Sequence, residues 1–509
     1  MCALPACLAV LPSAVAALPE SHARQAALPD AVVVPHGTAL MAPVQRRHGG
    51  RFNGKALRYR SVVEEVPIHD ADGEAIASVV SISYLAEDAG DARPIIFAFN
   101  GGPGSASIWL HMGLLGPRRP DYGTDAGEQE IRPRTVAPFG LVDNNASPLD
   151  VADVVLIDPP GTGYSRVFGA ENVEKVFGAQ QDADVTVQFI REWLRRYDRG
   201  NSPKYLLGES YGTVRAALVA KRLAGGPTTT GRMDGITLNG VILMGQAMDD
   251  SRQVAELSSV NLLPSAAATA WFHGKAGRQI SVDSHVRQAR TFSTGRYLQA
   301  LFAGTRLSDE ARASIAEELS GYTGIPASRL LALDLRLEPS TFSREVLRVE
   351  GRQVGLYDAR FVLPLASSGN DPVADDPAMG QYVPLYVATA HTHFRDALGI
   401  ETERVYNAIE FRRINQLFWK GQRPPPDNHA LALATAMRRN PRLRVLVATG
   451  WYDLATPVGA AEQAVALSGM DRSRVDFREY ESGHMPYIGA QSRQQLSADI
   501  RAFVTRTSE

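Results

Sequence analysis

The chain has 509 residues, of which 44% are hydrophobic and 21% charged, and its formal net charge at pH 7 is −2. These proportions are ordinary for a globular protein, and the chain is long enough to bury a large core. A charge so near neutrality gives no reason to expect nucleic acid as a partner. Both cysteines, Cys2 and Cys7, lie at the extreme N-terminus, which excludes a disulfide or a cysteine metal site in the folded body.

Residues 1–18 form a short apolar stretch interrupted by proline. The stretch is similar to the hydrophobic region of a secretory signal, with small residues at 14–17 suited to cleavage, although no Lys or Arg precedes it. It is too short for a good transmembrane helix. We therefore expect a possible signal segment, no membrane span, and export to the periplasm or the medium, with a cytoplasmic location as the alternative.

The first predicted strands form a hairpin. Segments 57–67 and 75–84 alternate or are rich in β-branched residues, and they flank an Asp-Gly turn at Asp72-Gly73. The apolar run 94–99 predicts a buried strand that ends in a glycine loop, Asn100-Gly101-Gly102-Pro103-Gly104. Such a loop is often a plain turn, but hydrolases also take one amide of an oxyanion hole from the loop after an early strand.

Further strands are predicted near 153–157, 204–208 and 238–244. Ser210 directly follows the second of these, with Gly208 and Gly212 two residues away on either side and a helical pattern after it. Strand, sharp turn and helix with serine at the apex is the arrangement of a nucleophile elbow, in which glycines let neighbouring backbone pass closely. The alternative is a chance Gly-x-Ser-x-Gly in a chain that contains 44 glycines.

Between residues 250 and 430 the strand pattern stops, over a distance far beyond a normal connection. Helical periods occur near 285–303, 308–320 and 403–420, and a small hairpin is predicted with its turn at 350–352. We interpret this segment as a largely helical cap over the active site, with an independent domain as the alternative. His391 and His393 could suggest a metal, but no further positioned ligand accompanies them, so no metal site is predicted.

The last two predicted strands, 443–448 and 475–480, are each followed by a polar residue on a loop, Asp453 and His484. Ligands meet open α/β sheets at the carboxyl ends of their strands. A serine, then an acid, then a histidine is also the order of the α/β-hydrolase triad.

The sequence therefore predicts an α/β-hydrolase fold with a mostly parallel central sheet. Its core comprises residues 19–249 and 431–509, and the cap insertion 250–430 separates these two parts.

Six short motifs in a fixed order resemble those of the serine carboxypeptidase family, in a bacterial-type form without disulfides. They are NGGPGS (100–105), LGP (115–117), LIDPPGTGYS (156–165), GESYG (208–212), Gly-x-x-Asp (450–453) and GHM (483–485). Each motif is short, but the ordered set is specific and spans about residues 95–490.

The resemblance implies that Ser210 is the nucleophile, His484 the general base and Asp453 its partner. We expect the Gly102 and Tyr211 amides to form the oxyanion hole. The resemblance further implies that Asn100 and Glu209 hold the terminal carboxylate of the substrate, and it adds Met485 as a substrate-binding residue. The expected reaction is removal of C-terminal residues from a peptide with a free C-terminus, with no metal or organic cofactor.

Two positions depart from the family pattern. Ala98 stands where the family usually has tryptophan, and Leu114 stands where a glutamate often precedes Leu-Gly-Pro. About half of the carboxylate-binding network is therefore present. An esterase or acyltransferase on the same fold is the alternative activity, and a non-catalytic binding module is a more distant one.

Overall fold

The computed structural model describes residues 32–508, apart from 88–89, 91, 123–132, 134, 227–234, 249–253, 368, 370 and 420–427. The predicted signal segment, with Cys2 and Cys7, lies outside the described residues. Among the helices of the described part, none is both long and apolar enough to span a bilayer.

One large sheet organises the molecule. The described strands are β1 (Val33–Val34), β2 (Val44–Phe52), β3 (Lys55–His69), β4 (Ala75–Ala86), β5 (Ile95–Phe99), β6 (Arg118–Asp121), β7 (Gly140–Asp143), β8 (Asp153–Asp158), β9 (Arg166–Phe168), β10 (Lys204–Glu209), β11 (Gly240–Met244), β12 (Arg352–Val354), β13 (Val362–Pro364), β14 (Arg444–Gly450) and β15 (Val475–Tyr480). The sheet has eleven strands in the order β1-β9-β4-β8-β5-β10-β11-β14-β15, and β3 pairs with both β4 and β2.

Six neighbouring strands of the sheet pair in parallel, and the three strands β2, β3 and β4 pair antiparallel. Strands β8, β5, β10, β11, β14 and β15 pair in parallel. Strands β2, β3 and β4 pair antiparallel, and β3 with β4 forms the hairpin predicted around the Asp-Gly turn. Because the parallel strands share one carboxyl edge, the loops that follow β5, β10, β14 and β15 meet there.

The middle of each central strand is apolar because helices cover both faces of the sheet. Along β5, Phe97 and Phe99 belong to one buried cluster, whereas Ile96 and Ala98 belong to the cluster on the opposite face. Phe97 packs edge-on against Trp193, with 5.3 Å between ring centroids. This alternation fixes the register of the strand, since a shift of one residue would exchange the two faces.

Helices connect and cover the strands. The described α-helices are Ile108–Leu110, Val173–Val176, Ala179–Arg196, Tyr211–Leu223, Ala255–Phe272, Val282–Phe292, Leu298–Ala303, Asp309–Thr323, Ala327–Ala332, Pro339–Glu345, Met379–Asp396, Phe411–Phe418, Ala430–Arg439, Val458–Leu467 and Ala490–Ser508. The predicted α/β class with a largely helical insertion is confirmed.

The described residues 254–419, the inserted segment, lie in the chain between β11 and β14. Its helices bury a third apolar cluster that contains Leu263, Val286 and Leu319. Tyr452 and Leu454, from the loop after β14, belong to the same cluster. The apolar core of the inserted segment therefore continues into a loop of the sheet's carboxyl edge.

The hairpin inside the inserted segment has a different turn from the predicted one. Strands β12 and β13 pair antiparallel, and residues 355–361 join them. Gly351, placed in the turn by the sequence pattern, instead adopts a left-handed conformation (φ 66°) after a short 3-10 turn. Positive φ favours glycine in both settings, so the residue type alone did not locate the hairpin turn.

Candidate active site

Ser210 lies at the apex of the turn between β10 and the helix Tyr211–Leu223, with φ 59° and ψ −130°. Non-glycine residues adopt such a conformation only where the surrounding structure imposes it. The Ser210 amide donates to Met244 O at 2.9 Å, which ties the turn to the end of β11. A side chain at Gly208 would meet the carbonyl group of Gly212, and one at Gly212 would lie 2.8 Å from Phe99 O. Both flanking glycines are therefore required by close backbone approach.

His484 and Asp453 form a buried pair. The His484 Nδ1–H donates to Asp453 Oδ2 at 2.8 Å, and the two side chains are 4% and 0% exposed. A Cβ at Gly245 would lie 3.0 Å from His484 Cε1, so the imidazole lies against the residue that follows β11. The main chain of Ser210 is hydrogen-bonded to Met244, the residue directly before Gly245. The three residues predicted from the sequence thus meet at one carboxyl edge of the sheet.

Asp453 is oriented by its own loop. Its Oδ1 accepts from the amides of Ala455 and Thr456, both at 2.8 Å, and its Oδ2 accepts from the Thr456 hydroxyl at 2.6 Å. Thr456 Oγ1 also lies 3.0 Å from His484 Nδ1. Sequence reasoning did not single out Thr456. The signal available was a threonine three residues after an aspartate on a loop, a spacing typical of local side-chain to backbone bonds.

The glycine loop after β5 packs directly on the elbow. A Cβ at Gly101 would lie 2.7 Å from Glu209 O and would also meet the Tyr211 amide. Gly102 has φ +105°. In the described part of the chain, neither the Gly102 amide nor the Tyr211 amide donates to a protein acceptor. Both amides are therefore available to an oxygen bound beside Ser210.

Asn100 and Glu209 are hydrogen-bonded to each other. Asn100 Nδ2 donates to Glu209 Oε1 at 2.8 Å, and Asn100 Oδ1 accepts from the Leu110 amide at 3.1 Å. Glu209 Oε2 is buried without a hydrogen bond to any described residue. Burial raises the pKa of Glu209 to about 7, against the opposing effects of His484, Tyr487 and Asn100. A buried carboxyl with this pKa is neutral in weak acid and can donate a proton in a hydrogen bond.

Tyr487 lies beside Glu209, although their approach falls outside ordinary hydrogen-bond geometry and the buried Tyr487 hydroxyl has no partner among the described residues. Gly113 leaves room for its ring, since a Cβ there would lie 2.6 Å from Tyr487 Cδ2. Ala98, Leu114 and Met485 are all buried in the apolar cluster on the Ile96 face of the sheet. The two positions that depart from the family pattern thus contribute packing there.

The inserted segment contacts both loops of the site. Tyr357 O accepts from the His484 amide at 2.6 Å, and the two rings meet edge-on with centroids 5.2 Å apart. On the other side, Phe411 lies over the glycine loop, since a Cβ at Gly102 would be 2.9 Å from Phe411 Cε1. Asn415 Nδ2 donates to Pro103 O at 2.9 Å. The sequence predicted neither Tyr357 nor Phe411 at the site, because no local pattern marks a residue that contacts a site so distant in the chain.

The two histidines considered as metal ligands, His391 and His393, differ in their surroundings. His393 is buried, and its Nε2 lies 2.9 Å from the Tyr84 hydroxyl. His391 is exposed. Within the described residues, no group of three or more His, Cys, Asp or Glu side chains is placed to hold a metal ion.

A parallel sheet with serine, acid and histidine after β10, β14 and β15 is the arrangement of the α/β-hydrolases. A family model described as serine carboxypeptidase matches residues 82–482. This match covers well over half of the chain, so the chain belongs to the serine carboxypeptidase family. Its activity is accordingly that of a serine-type carboxypeptidase, a hydrolase that acts on peptides.

Solved structures with the same fold include Kex1Δp, a prohormone-processing carboxypeptidase from Saccharomyces cerevisiae. It is 15% identical, with a TM-score of 0.54 over 88% of this chain and 91% of that one. A lipase in its open form is 14% identical, with a TM-score of 0.38 over 88% of this chain and 99% of the lipase. A carboxyl esterase from Bacillus coagulans is 12% identical, with a TM-score of 0.36 over 88% and 99%. No curated protein sequence shows significant similarity to the chain.

Proposed function

We propose that Ser210, His484 and Asp453 carry out the hydrolysis. His484 takes the proton from the Ser210 hydroxyl as the oxygen attacks the peptide carbonyl, and Asp453 holds the imidazole in the tautomer that can accept this proton. The proton then passes from His484 to the leaving amine. Water, activated by the same histidine, next hydrolyses the acyl-enzyme. The observation that supports these roles most is the buried 2.8 Å bond between His484 and Asp453 at the edge of the sheet that carries Ser210.

The Gly102 and Tyr211 amides stabilise the oxyanion in this proposal. Their position beside Ser210 and their lack of other acceptors in the described chain support the assignment. One donor of this kind typically contributes about 3–4 kcal/mol to stabilisation of the transition state.

The substrate is a peptide with a free C-terminus, held through Asn100 and Glu209. Glu209 Oε2 has no partner among the described residues, and a protonated carboxyl there can donate to the terminal carboxylate of a peptide. Asn100 orients this carboxyl through the bond to Oε1. Met485 follows the base directly and remains a predicted substrate-binding residue.

The inserted segment, which belongs to the predicted insertion 250–430, acts as the cap of this site. This role is supported by the contact of Tyr357 with His484 and by the position of Phe411 over Gly102. We also infer export to the periplasm or the medium, on the strength of the apolar residues 1–18.

An esterase is the second candidate activity, and a specific observation favours it. Ala98 and Leu114 are buried and apolar where the family usually places further polar groups for the carboxylate. Esters and amides have no free carboxylate, so an incomplete binding network would penalise them less than peptide acids.

One measurement tests the nucleophile, and a second one separates the carboxypeptidase from the esterase. Labelling by a fluorophosphonate probe, located by peptide mapping, is expected at Ser210, and an unlabelled protein would contradict the proposed nucleophile. A matched panel of a peptide acid, its amide and its ester then ranks the activities by kcat/KM. We expect the peptide acid to be preferred below neutral pH, whereas preference for the ester at every pH would favour the esterase.

A further inference from the structure

A buried ion pair in the inserted segment lies directly behind the catalytic loops. Arg360 Nε donates to Asp358 Oδ1 at 2.9 Å and Arg360 Nη2 to Asp358 Oδ2 at 2.6 Å, so the pair is bidentate. The two side chains are 2% and 5% exposed. Although burial opposes the charged guanidinium, the Asp358 carboxylate keeps the pKa of Arg360 above its usual value. The net stabilisation that a buried charge pair provides is small, because its desolvation offsets much of its attraction.

Residues 355–361, the brace loop, carry this pair and bind both loops of the proposed triad. Leu356 O accepts from the amides of Leu454 and Ala455 at 2.9 and 3.0 Å, directly after Asp453. The Ala359 amide donates to Tyr452 O at 2.9 Å, directly before it. Tyr357 O accepts from the amide of His484 itself at 2.6 Å.

The guanidinium of Arg360 extends this connection to the histidine loop. Arg360 Nη1 donates to Glu481 O at 3.0 Å, and Nη2 lies 3.5 Å from both Ser482 Oγ and Ile488 O. The same guanidinium lies 5.3 Å from the centre of the Tyr452 ring, on the loop that bears Asp453.

Close packing leaves this arrangement little freedom. A Cβ at Gly483 would lie 2.6 Å from Asp358 Cβ. Gly483, the residue before His484, therefore packs directly against the side chain of Asp358. A hydrogen bond also joins the Asp453 loop to the His484 loop, since the Tyr452 amide donates to Ser482 O at 3.0 Å.

We propose that Asp358 and Arg360 are positioning residues that hold the imidazole of His484 against Asp453 and in line with Ser210. Neither residue touches the reacting atoms in this account. They act through the main chain of Glu481, Tyr452 and the brace loop. The proposal rests on the proposed triad. Its physical reason is that displacing a catalytic group by about 1 Å can lower a rate about a hundredfold.

The test compares Arg360→Met, Arg360→Lys and Asp358→Asn with the wild type. Arg501→Met is the matched control, because Arg501, on the C-terminal helix, forms a bidentate pair with the buried Asp150. Each variant is assayed for thermal unfolding, for kcat and KM on a peptide, and for the rate constant of fluorophosphonate labelling. All rates are expressed per labelled site, so that a loss of folded protein does not count as a loss of activity.

We expect Arg360→Met to lower both kcat and the labelling rate constant by about tenfold to a hundredfold, with KM changed by less than about threefold. Arg360→Lys keeps the charge but loses the bidentate geometry, so its rates should lie between those of Arg360→Met and the wild type. Arg501→Met should lower the melting temperature and leave both rates per site unchanged.

Wild-type rates per site in Arg360→Met, with a lowered melting temperature, would overturn the proposal and leave the pair a merely structural role. If Arg360→Met does not fold, Asp358→Asn and Arg360→Lys provide the same comparison, and failure of all three to fold would also overturn it. Absence of labelling in the wild type would instead contradict the proposed nucleophile, so the two failures are distinguishable.

Discussion

Ser210 has a positive φ of 59°, although it is not a glycine. The neighbouring strand and helix impose this conformation, and the position is half-buried at the edge of the sheet. Strain of this kind is tolerated where it points a reactive group at a substrate. This conformation is consistent with the proposed role of the Ser210 hydroxyl in the chemistry rather than in packing.

Replacement of this hydroxyl should separate activity from stability. We expect Ser210→Ala to lose turnover, because no other group takes the place of the nucleophile, while its melting temperature stays close to that of the wild type. Residual activity above about a hundredth of the wild-type kcat would contradict the assignment, since losses of triad residues are usually far larger. The measurement is kcat on one peptide, with thermal unfolding of both proteins as the control.

Glu209 should make peptide-acid binding dependent on pH. Burial raises its pKa to about 7, so below this pH the neutral carboxyl donates to the substrate carboxylate, and above it two anions face each other. We expect KM for a peptide acid to rise by about tenfold per pH unit well above this pKa. The amide of the same peptide and the variant Glu209→Gln should lack this dependence. Identical KM profiles for acid and amide in the wild type would show that Glu209 does not bind the carboxylate.

The residues that the sequence could predict are those with local motifs. Ser210 has flanking glycines, Asp453 follows an apolar strand and His484 follows an alternating strand, so order and spacing predicted all three positions. The spacing of Thr456 from Asp453 indicates a local bond but does not place Thr456 beside His484. Tyr357 contacts the histidine through long-range packing, which no local pattern indicates.

At the scale of elements, the turn between β10 and its helix depends on backbone contact rather than on side chains. A Cβ at Gly208 would lie 2.5 Å from the carbonyl carbon of Gly212 and 3.0 Å from the Thr213 amide nitrogen. Since both neighbours are backbone atoms, neither can rotate away.

We therefore expect Gly208→Ala to lower the free energy of unfolding by about 3 kcal/mol, the upper range for overpacking, and to reduce activity with it. Gly200→Ala is the matched control, because Gly200 is exposed with nothing within 4 Å of an added Cβ. That control should change the free energy by less than about 0.5 kcal/mol. Equal unfolding midpoints in denaturant for both variants would contradict the close approach at the elbow.

The central parallel strands could be predicted because burial on both faces gives them apolar runs. The helical periods of the inserted segment were predicted less sharply. The period expected over 285–303 is broken at Gly295, which has non-helical φ −108° and ψ −106°. Glycine tolerates such a break without leaving a periodic signal in its neighbours.

At the scale of the whole molecule, the inserted segment shares its apolar core with the loop of Asp453 and covers the glycine loop with Phe411. The sequence predicted an insertion from its length, from the absence of strand patterns and from its helical periods. The sequence could not predict which side chains of the segment contact the site, because these contacts depend on how its helices pack.

Phe411 should limit the size of the substrate side chain beside Gly102. We expect Phe411→Ala to raise the ratio of kcat/KM for a bulky over a small residue at the cleavage site by about tenfold, the magnitude typical of an enlarged apolar pocket. Phe302→Ala is the control, because Phe302 is 81% exposed on another helix of the inserted segment. A ratio that changes no more in Phe411→Ala than in Phe302→Ala would show that the inserted segment does not shape the site.

The most direct measurement of the carboxypeptidase assignment is mass spectrometry of one peptide during incubation with the protein. We expect a ladder of products that lose residues one at a time from the C-terminus, absent with Ser210→Ala and formed more slowly below neutral pH from the same peptide blocked as its amide. Internal cleavage, or intact peptide together with rapid hydrolysis of an ester, would contradict it.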